Sequence, residues 1–209
     1  MRWLTSTLVL IFGFSFSSPT AASLVDHGNT TIDTISGLEW LDLTQSLNRS
    51  YDDLVGNDGT NEFGPSGDFR GWRYATINEV FDLFTHAGIP FINLPSGAVE
   101  NIPPVMALED LVGITFPGVA PASQGITSTP VATTIRQVGV LQITNGGGSG
   151  IANTLNFAIR DAEAFPSVGS WLVRSSAIPE PSSLILLSGG LVGLGIICRR
   201  LRARQAPRG

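Results

Sequence analysis

The stretch Thr76-Ile77-Asn78-Glu79-Val80-Phe81-Asp82-Leu83-Phe84-Thr85-His86-Ala87-Gly88 carries its own punctuation. At this spacing the Thr76 hydroxyl accepts from the Glu79 amide while the Glu79 carboxylate reaches back. Ile77, Val80, Phe81 and Phe84 then fall on one helical stripe. Gly88 supplies a stop, and Pro90 lies just beyond it. The spacing predicts a helix over 77–87 that buries one face. His86 sits near its end, off the apolar stripe, where an imidazolium would complement the helix dipole; it reads as a surface or capping residue.

Outward from this helix the chain reads as strands and short helices. Thr30-Thr31-Ile32-Asp33-Thr34 leads through the turn Ser36-Gly37 to Leu38-Glu39-Trp40-Leu41-Asp42, with Leu38, Trp40 and Leu43 expected in the core. Ser50 is placed to cap a short helix over 51–55, and 56–71 is a loop rich in turn formers. On the C-terminal side, Pro103-Pro104 opens and Gly113 closes a second helix over 105–111. A loop rich in Pro, Ser and Thr follows. Ile135, Val138, Val140, Leu141 and Ile143 then mark a strand ending at the glycine run 145–150, with 155–159 as its hairpin partner. Gly169-Ser170-Trp171-Leu172-Val173-Arg174 is a last strand. Strands at both ends with helices between predict one α+β domain over 23–177 whose termini lie close together. Trp40, Trp72 and Trp171 are expected in its core rather than as sugar-stacking platforms.

Composition narrows the chemistry. The 209 residues contain one cysteine, two histidines and no lysine, which removes a disulfide framework, a Cys-based zinc cluster, P-loop chemistry and Schiff-base chemistry. Between residues 23 and 177 sixteen acids face six arginines, a net charge of −10. Such a segment has no electrostatic reason to bind nucleic acid. It would repel anionic polymers unless cations bridge them. Asp58, Glu62 and Asp68, with Asn57 and Asn61, cluster in the 56–71 loop as hard oxygen donors that could hold calcium. Their spacing does not fit the twelve-residue calcium loop, so a solvated turn is the plainer reading. No catalytic set and no cofactor is implied. Asp52 and Asp53 diverge by about 100° on a helix and do not form a carboxylate pair.

The two ends differ from this middle. Arg2, the apolar run Leu8-Val9-Leu10-Ile11-Phe12-Gly13-Phe14 and the small residues up to Ala21-Ala22 have the layout of a secretory signal peptide over 1–22, cut by signal peptidase after Ala22. At the other end, Ala177-Ile178-Pro179-Glu180-Pro181 is a stiff neck. Residues 182–198 carry no charge and would make a transmembrane helix of roughly 26 Å. Arg199, Arg200, Arg202, Arg204 and Arg208 form a basic tail that the positive-inside rule keeps in the cytoplasm. Gly189 and Gly193 fit either a helix-packing face or a helix kept compact for an intramembrane processing enzyme. Cys198, at the membrane edge, reads as a small apolar filler.

Pro179-Glu180-Pro181, the glycine-containing apolar span and the arginine cluster, in that order, resemble the PEP-CTERM sorting signal. The resemblance implies a Gram-negative exported protein and removal of the tail by an exosortase, a membrane cysteine protease or transpeptidase. It also implies association with exopolysaccharide and biofilm or floc matrix. The plainer alternative is a single-pass anchor with a proline-rich neck.

Three further blocks, Asp33 to Asp42, Gly71 to Val80 and Trp171-Leu172-Val173-Arg174, resemble the Lcl C-terminal-like domain family. That family is similar to C-type lectin folds, with a two-layer α+β architecture, and its resemblance brings no catalytic residues. Tyr74-Ala75 stands where the family pattern has Leu-Pro. The expectation is a non-enzymatic, sorted surface or matrix protein. A surface hydrolase acting on extracellular polysaccharide, or a membrane-anchored adhesin, is the alternative.

Overall fold

The computed structural model describes residues 23–57, 59 and 61–176 of the chain. The expected signal peptide, the Pro179-Glu180-Pro181 neck, the 182–198 span, the arginine tail and Asp58 lie outside the described residues. Among the described residues no helix is long and apolar enough to cross a membrane.

The domain mixes helix and sheet, with more sheet than helix, and is compatible with the α+β expectation. Strands β1 (Leu24–Asp26), β2 (Thr30–Asp33) and β3 (Leu38–Leu41) form an antiparallel meander. After α1 (Tyr51–Val55) come β4 (Arg73–Tyr74), α2 (Ile77–His86) and α3 (Ile102–Val112). Strands β5 (Ala122–Ala132), β6 (Ile135–Ile143), β7 (Gly150–Asn153) and β8 (Ala158–Arg160) follow, and β9 (Gly169–Ser170) and β10 (Leu172–Ser175) close the domain. One sheet has the order β1-β2-β3-β10-β4; the other runs β7-β6-β5-β9, with β8 also on β6. The three sequence blocks thereby become neighbours, because β10 pairs antiparallel with both β3 and β4.

Trp171 joins the sheets. Its N–H donates to the Ile126 carbonyl of β5 at 2.9 Å, and its own carbonyl accepts from the Ala75 N–H at 2.7 Å. Its indole lies against Gly125 and Gly139, which face each other across β5 and β6. A Cβ added at Gly139 would sit 2.7 Å from the indole nitrogen, so glycine at this position makes room for the ring. The indole N–H donates to the Gly139 carbonyl at 3.1 Å, and Trp40 and Phe84 meet the ring edge-on at 5.8 and 6.0 Å. Val80, Leu83 and Phe84 of α2 and Val105, Leu108 and Val112 of α3 complete this buried cluster. A second cluster gathers Leu41, Leu54, Phe69, Tyr74, Ile126, Val168 and Leu172.

The capping box of α2 is present in both directions, and the helix ends one residue earlier than expected, with Ala87 as its C-cap. Ser50 caps α1 as read from the sequence. In α3 the prolines occupy the first turn, so it begins at Ile102, ahead of the expected start. Two readings are corrected. The supposed loop after α3 contains β5, an eleven-residue strand. Its polar composition conceals burial because its hydroxyls are satisfied by carbonyls: Ser123 donates to Gly113 at 2.8 Å and Thr127 to Gln137 at 2.9 Å. The hairpin partner of β6 is also different. β7 pairs with its end, Ile143 opposite Gly150, while β8 pairs with its start, Ile135 opposite Arg160. Residues 155–157 belong to the connection between the two.

Candidate functional site

The acidic loop after α1 folds around an arginine. Arg49 stands four residues before Asp53, one helical turn apart, and its Nε donates to the Asp53 carboxylate. Its Nη2 donates to Glu62 Oε1 at 3.0 Å, and Asp68 Oδ2 lies 3.8 Å from Nη1. The other Glu62 oxygen accepts from the Asp68 N–H at 2.9 Å. Two of the sequence candidates, Glu62 and Asp68, are thus brought together, with a guanidinium between the carboxylates. Asn57 is drawn elsewhere, onto Asp52 at 2.6 Å. Among the described residues no group of three or more His, Cys, Asp or Glu is arranged to hold a metal ion. The sequence signal for this hub was the i,i+4 spacing of Arg49 and Asp53.

Two further arginines, Arg136 and Arg174, are clamped in the same manner. Arg136 makes a two-pronged pair with Asp161 at 3.0 and 2.9 Å and lies 4.1 Å above the Tyr51 ring. Tyr51 stacks on Tyr74 at 4.7 Å. Arg174 grips Glu39 with two bonds of 2.7 Å and covers Trp72 at 4.4 Å. Trp40 and Trp171 are buried as expected, while Trp72 is half-buried beneath this guanidinium.

His86 is drawn inward. Its Nδ1 lies 2.7 Å from Oδ2 of the buried Asp33, which also accepts from the Ser36 hydroxyl at 2.6 Å. Burial alone would raise the Asp33 carboxyl. Hydrogen bonds from Ser36, from His86 and from the backbone of Ile35 and Ser36 outweigh it and hold the group below the usual carboxylate range. The His86 carbonyl accepts from the Ser23 hydroxyl at 2.8 Å, tying the start of β1 to the end of α2. His86 is therefore a fastening between elements rather than a surface residue.

Two carboxyls behave in the opposite way. Burial, then the nearby Asp110, pushes Glu109 up to about 7; burial, then Asp26, pushes Asp42 up to about 6. Glu109 Oε1 and Asp42 Oδ1 are buried without a hydrogen-bond partner, so nothing offsets the lost hydration. Composition did not reveal them, because only the packed position of each distinguishes it from the other acids.

Clefts open on the surface of the described residues, two of them sizeable. One, of about 260 Å³, lies between β1 and α3 and is lined by Leu24, Ala87, Pro104 and Leu108. The other, of about 250 Å³, has Gln124 and Val138 in its floor and Phe157 and Phe165 in its walls. Neither lining includes an Asp or Glu side chain.

Residues 177–202 match the PEP-CTERM protein-sorting motif. The matched stretch contains Pro179, Glu180, Pro181, Arg199, Arg200 and Arg202, and ends before Arg204. The motif implies an exported protein that passes through a membrane-anchored intermediate and is processed by an exosortase. No curated protein and no solved structure matches the chain.

Proposed function

We propose that this chain is a non-enzymatic module of a Gram-negative cell surface or extracellular matrix. A signal peptidase trims it at Ala22, and an exosortase releases it from a transient inner-membrane anchor at the Pro179-Glu180-Pro181 neck. The acidic, two-sheet domain is then retained among exopolysaccharide in biofilm or floc. We read the domain as a C-type lectin-like variant, on the three blocks that converge on β10. The observation that carries the sorting half is the motif match over 177–202 immediately behind the folded domain.

The geometry adds support. The Thr34 N–H donates to the Ser23 carbonyl at 2.8 Å, and the Ser176 N–H donates to the Gly37 carbonyl at 2.9 Å. Chain entry and chain exit are thus fastened to the same turn, which suits a domain tethered at both ends while it leaves the membrane.

The test is the C-terminal mass of the envelope protein in an exosortase-positive host. The wild-type chain should lack its arginine tail, and Glu180→Ala should retain it. An intact tail in wild-type protein would sink the sorting reading.

A further inference from the structure

We infer that the cleft between Phe157 and Phe165 is a calcium-independent binding site for one ring of a neutral glycan. The inference deepens the matrix reading and rests on it. Alternation along β5 decides which side chains reach the cleft. Gly125 faces the Trp171 indole, so its neighbour Gln124 points to the opposite face of the sheet. The Gln124 backbone is occupied, donating to Thr115 Oγ1 at 3.0 Å, while its side-chain amide has no hydrogen-bond partner among the described residues. A half-buried carboxamide left unpaired in this way is available to a ligand. It donates and accepts at once, as a sugar hydroxyl does.

The walls supply the complementary half. Phe157 and Phe165 remain 46% and 41% exposed, so part of each ring is open to solvent beside the cleft. Both are held by their own backbone: the Phe157 carbonyl accepts from Val138 at 3.0 Å, and the Phe165 carbonyl accepts from Asn48 at 3.2 Å and from Val168 at 3.1 Å. Binding therefore does not have to order the backbone that carries them first. A pyranose ring offers an apolar C–H face to such rings and hydroxyls to the amide and to Ser167. The volume of about 250 Å³ lies just below the roughly 300 Å³ at which drug-sized pockets begin, which favours a single ring. No charged side chain lines the cleft, and the domain around it is strongly acidic. Uronate or sulfated sugars would meet repulsion without a counter-charge; neutral hexoses would not.

The test uses the mature protein purified from the envelope of an exosortase-positive host, with saturation-transfer NMR against cellotriose, maltotriose, galactotriose and trigalacturonate. At least one neutral trisaccharide should bind at millimolar strength, unchanged by EDTA, and trigalacturonate should not. Phe157→Ala and Gln124→Leu should each weaken binding about three- to tenfold, the size of one lost aromatic contact or hydrogen bond, with an unchanged melting temperature. Binding lost in EDTA, preference for trigalacturonate, equal binding by both variants, or capture of aromatic peptides in place of sugars would overturn the site. The C-terminal mass of the same preparations reads the sorting step separately, so a missing glycan signal on a correctly trimmed protein condemns only the cleft.

Discussion

Gly139 illustrates how one missing side chain organises a core. Its position opposite Gly125 leaves a flat area two residues wide on which Trp171 rests. A methyl group there would lie 2.7 Å from both the indole nitrogen and Val80 Cγ1. Gly139→Ala should therefore cost about 2–3 kcal/mol and lower the melting temperature by roughly 5–10 °C. Gly148→Ala, whose new methyl would meet only Thr144 at 3.8 Å, should leave the melt unchanged. At Glu109 the effect is electrostatic. Its folded pKa of about 7 exceeds the ordinary 4.5. The native state thus holds a proton that the unfolded chain has released, and stability falls as pH rises from about 4.5 to about 7. The loss approaches roughly 3 kcal/mol at pH 8. Glu109→Met should recover most of it at pH 8 and little at pH 5, as read from urea midpoints at the two pH values.

Among the elements, α1 and α2 are the ones that sequence alone resolves, because their caps and stops are local. The stripe of α2 differs from the expected one: Phe81 is exposed and Leu83 is buried, since packing against the sheet sets the final face. The Glu79 carboxylate that closes the box is also gripped by Arg73 at 2.6 and 3.0 Å, which ties the helix start to β4. Thr76→Ala should cost about 1 kcal/mol and lower the melting temperature by roughly 2–4 °C. The strand β5 is the reverse case. Nothing in Ala122-Ser123-Gln124-Gly125-Ile126-Thr127 shows alternating hydrophobicity, because one face carries Ser123 and Thr127 and the floor for Trp171. The carbonyls that receive those hydroxyls belong to the neighbouring segments before and after the strand, ten residues away, and only the fold turns them toward it. Sequence separation hides the cleft, whose walls, 157 and 165, lie far from its amide, 124. The arginine at the centre of the acidic loop was written in the Arg49 to Asp53 spacing, whereas the Asp33–His86 fastening joins groups 53 residues apart.

For the whole molecule, two sets of acids pull against each other. Asp33, Glu39 and Glu79 are held below the usual range, so their contribution is lost as pH falls below about 4. Glu109 and Asp42 lie above it, so theirs is lost as pH climbs toward neutrality. The domain as a whole should be most stable near pH 5, and a melting series from pH 3 to pH 8 should peak there rather than at neutrality.

The fastening of Ser176 to Gly37 sets how the folded unit bears tension. The neck continues from β10, an inner strand held on one side by β3 and on the other by β4, whereas the opposite terminus belongs to β1 at the margin of the sheet. A pull on the leading end can unzip β1 one rung at a time. A pull through the trailing end must shear two ladders together, so the stronger handle lies on the side of the neck.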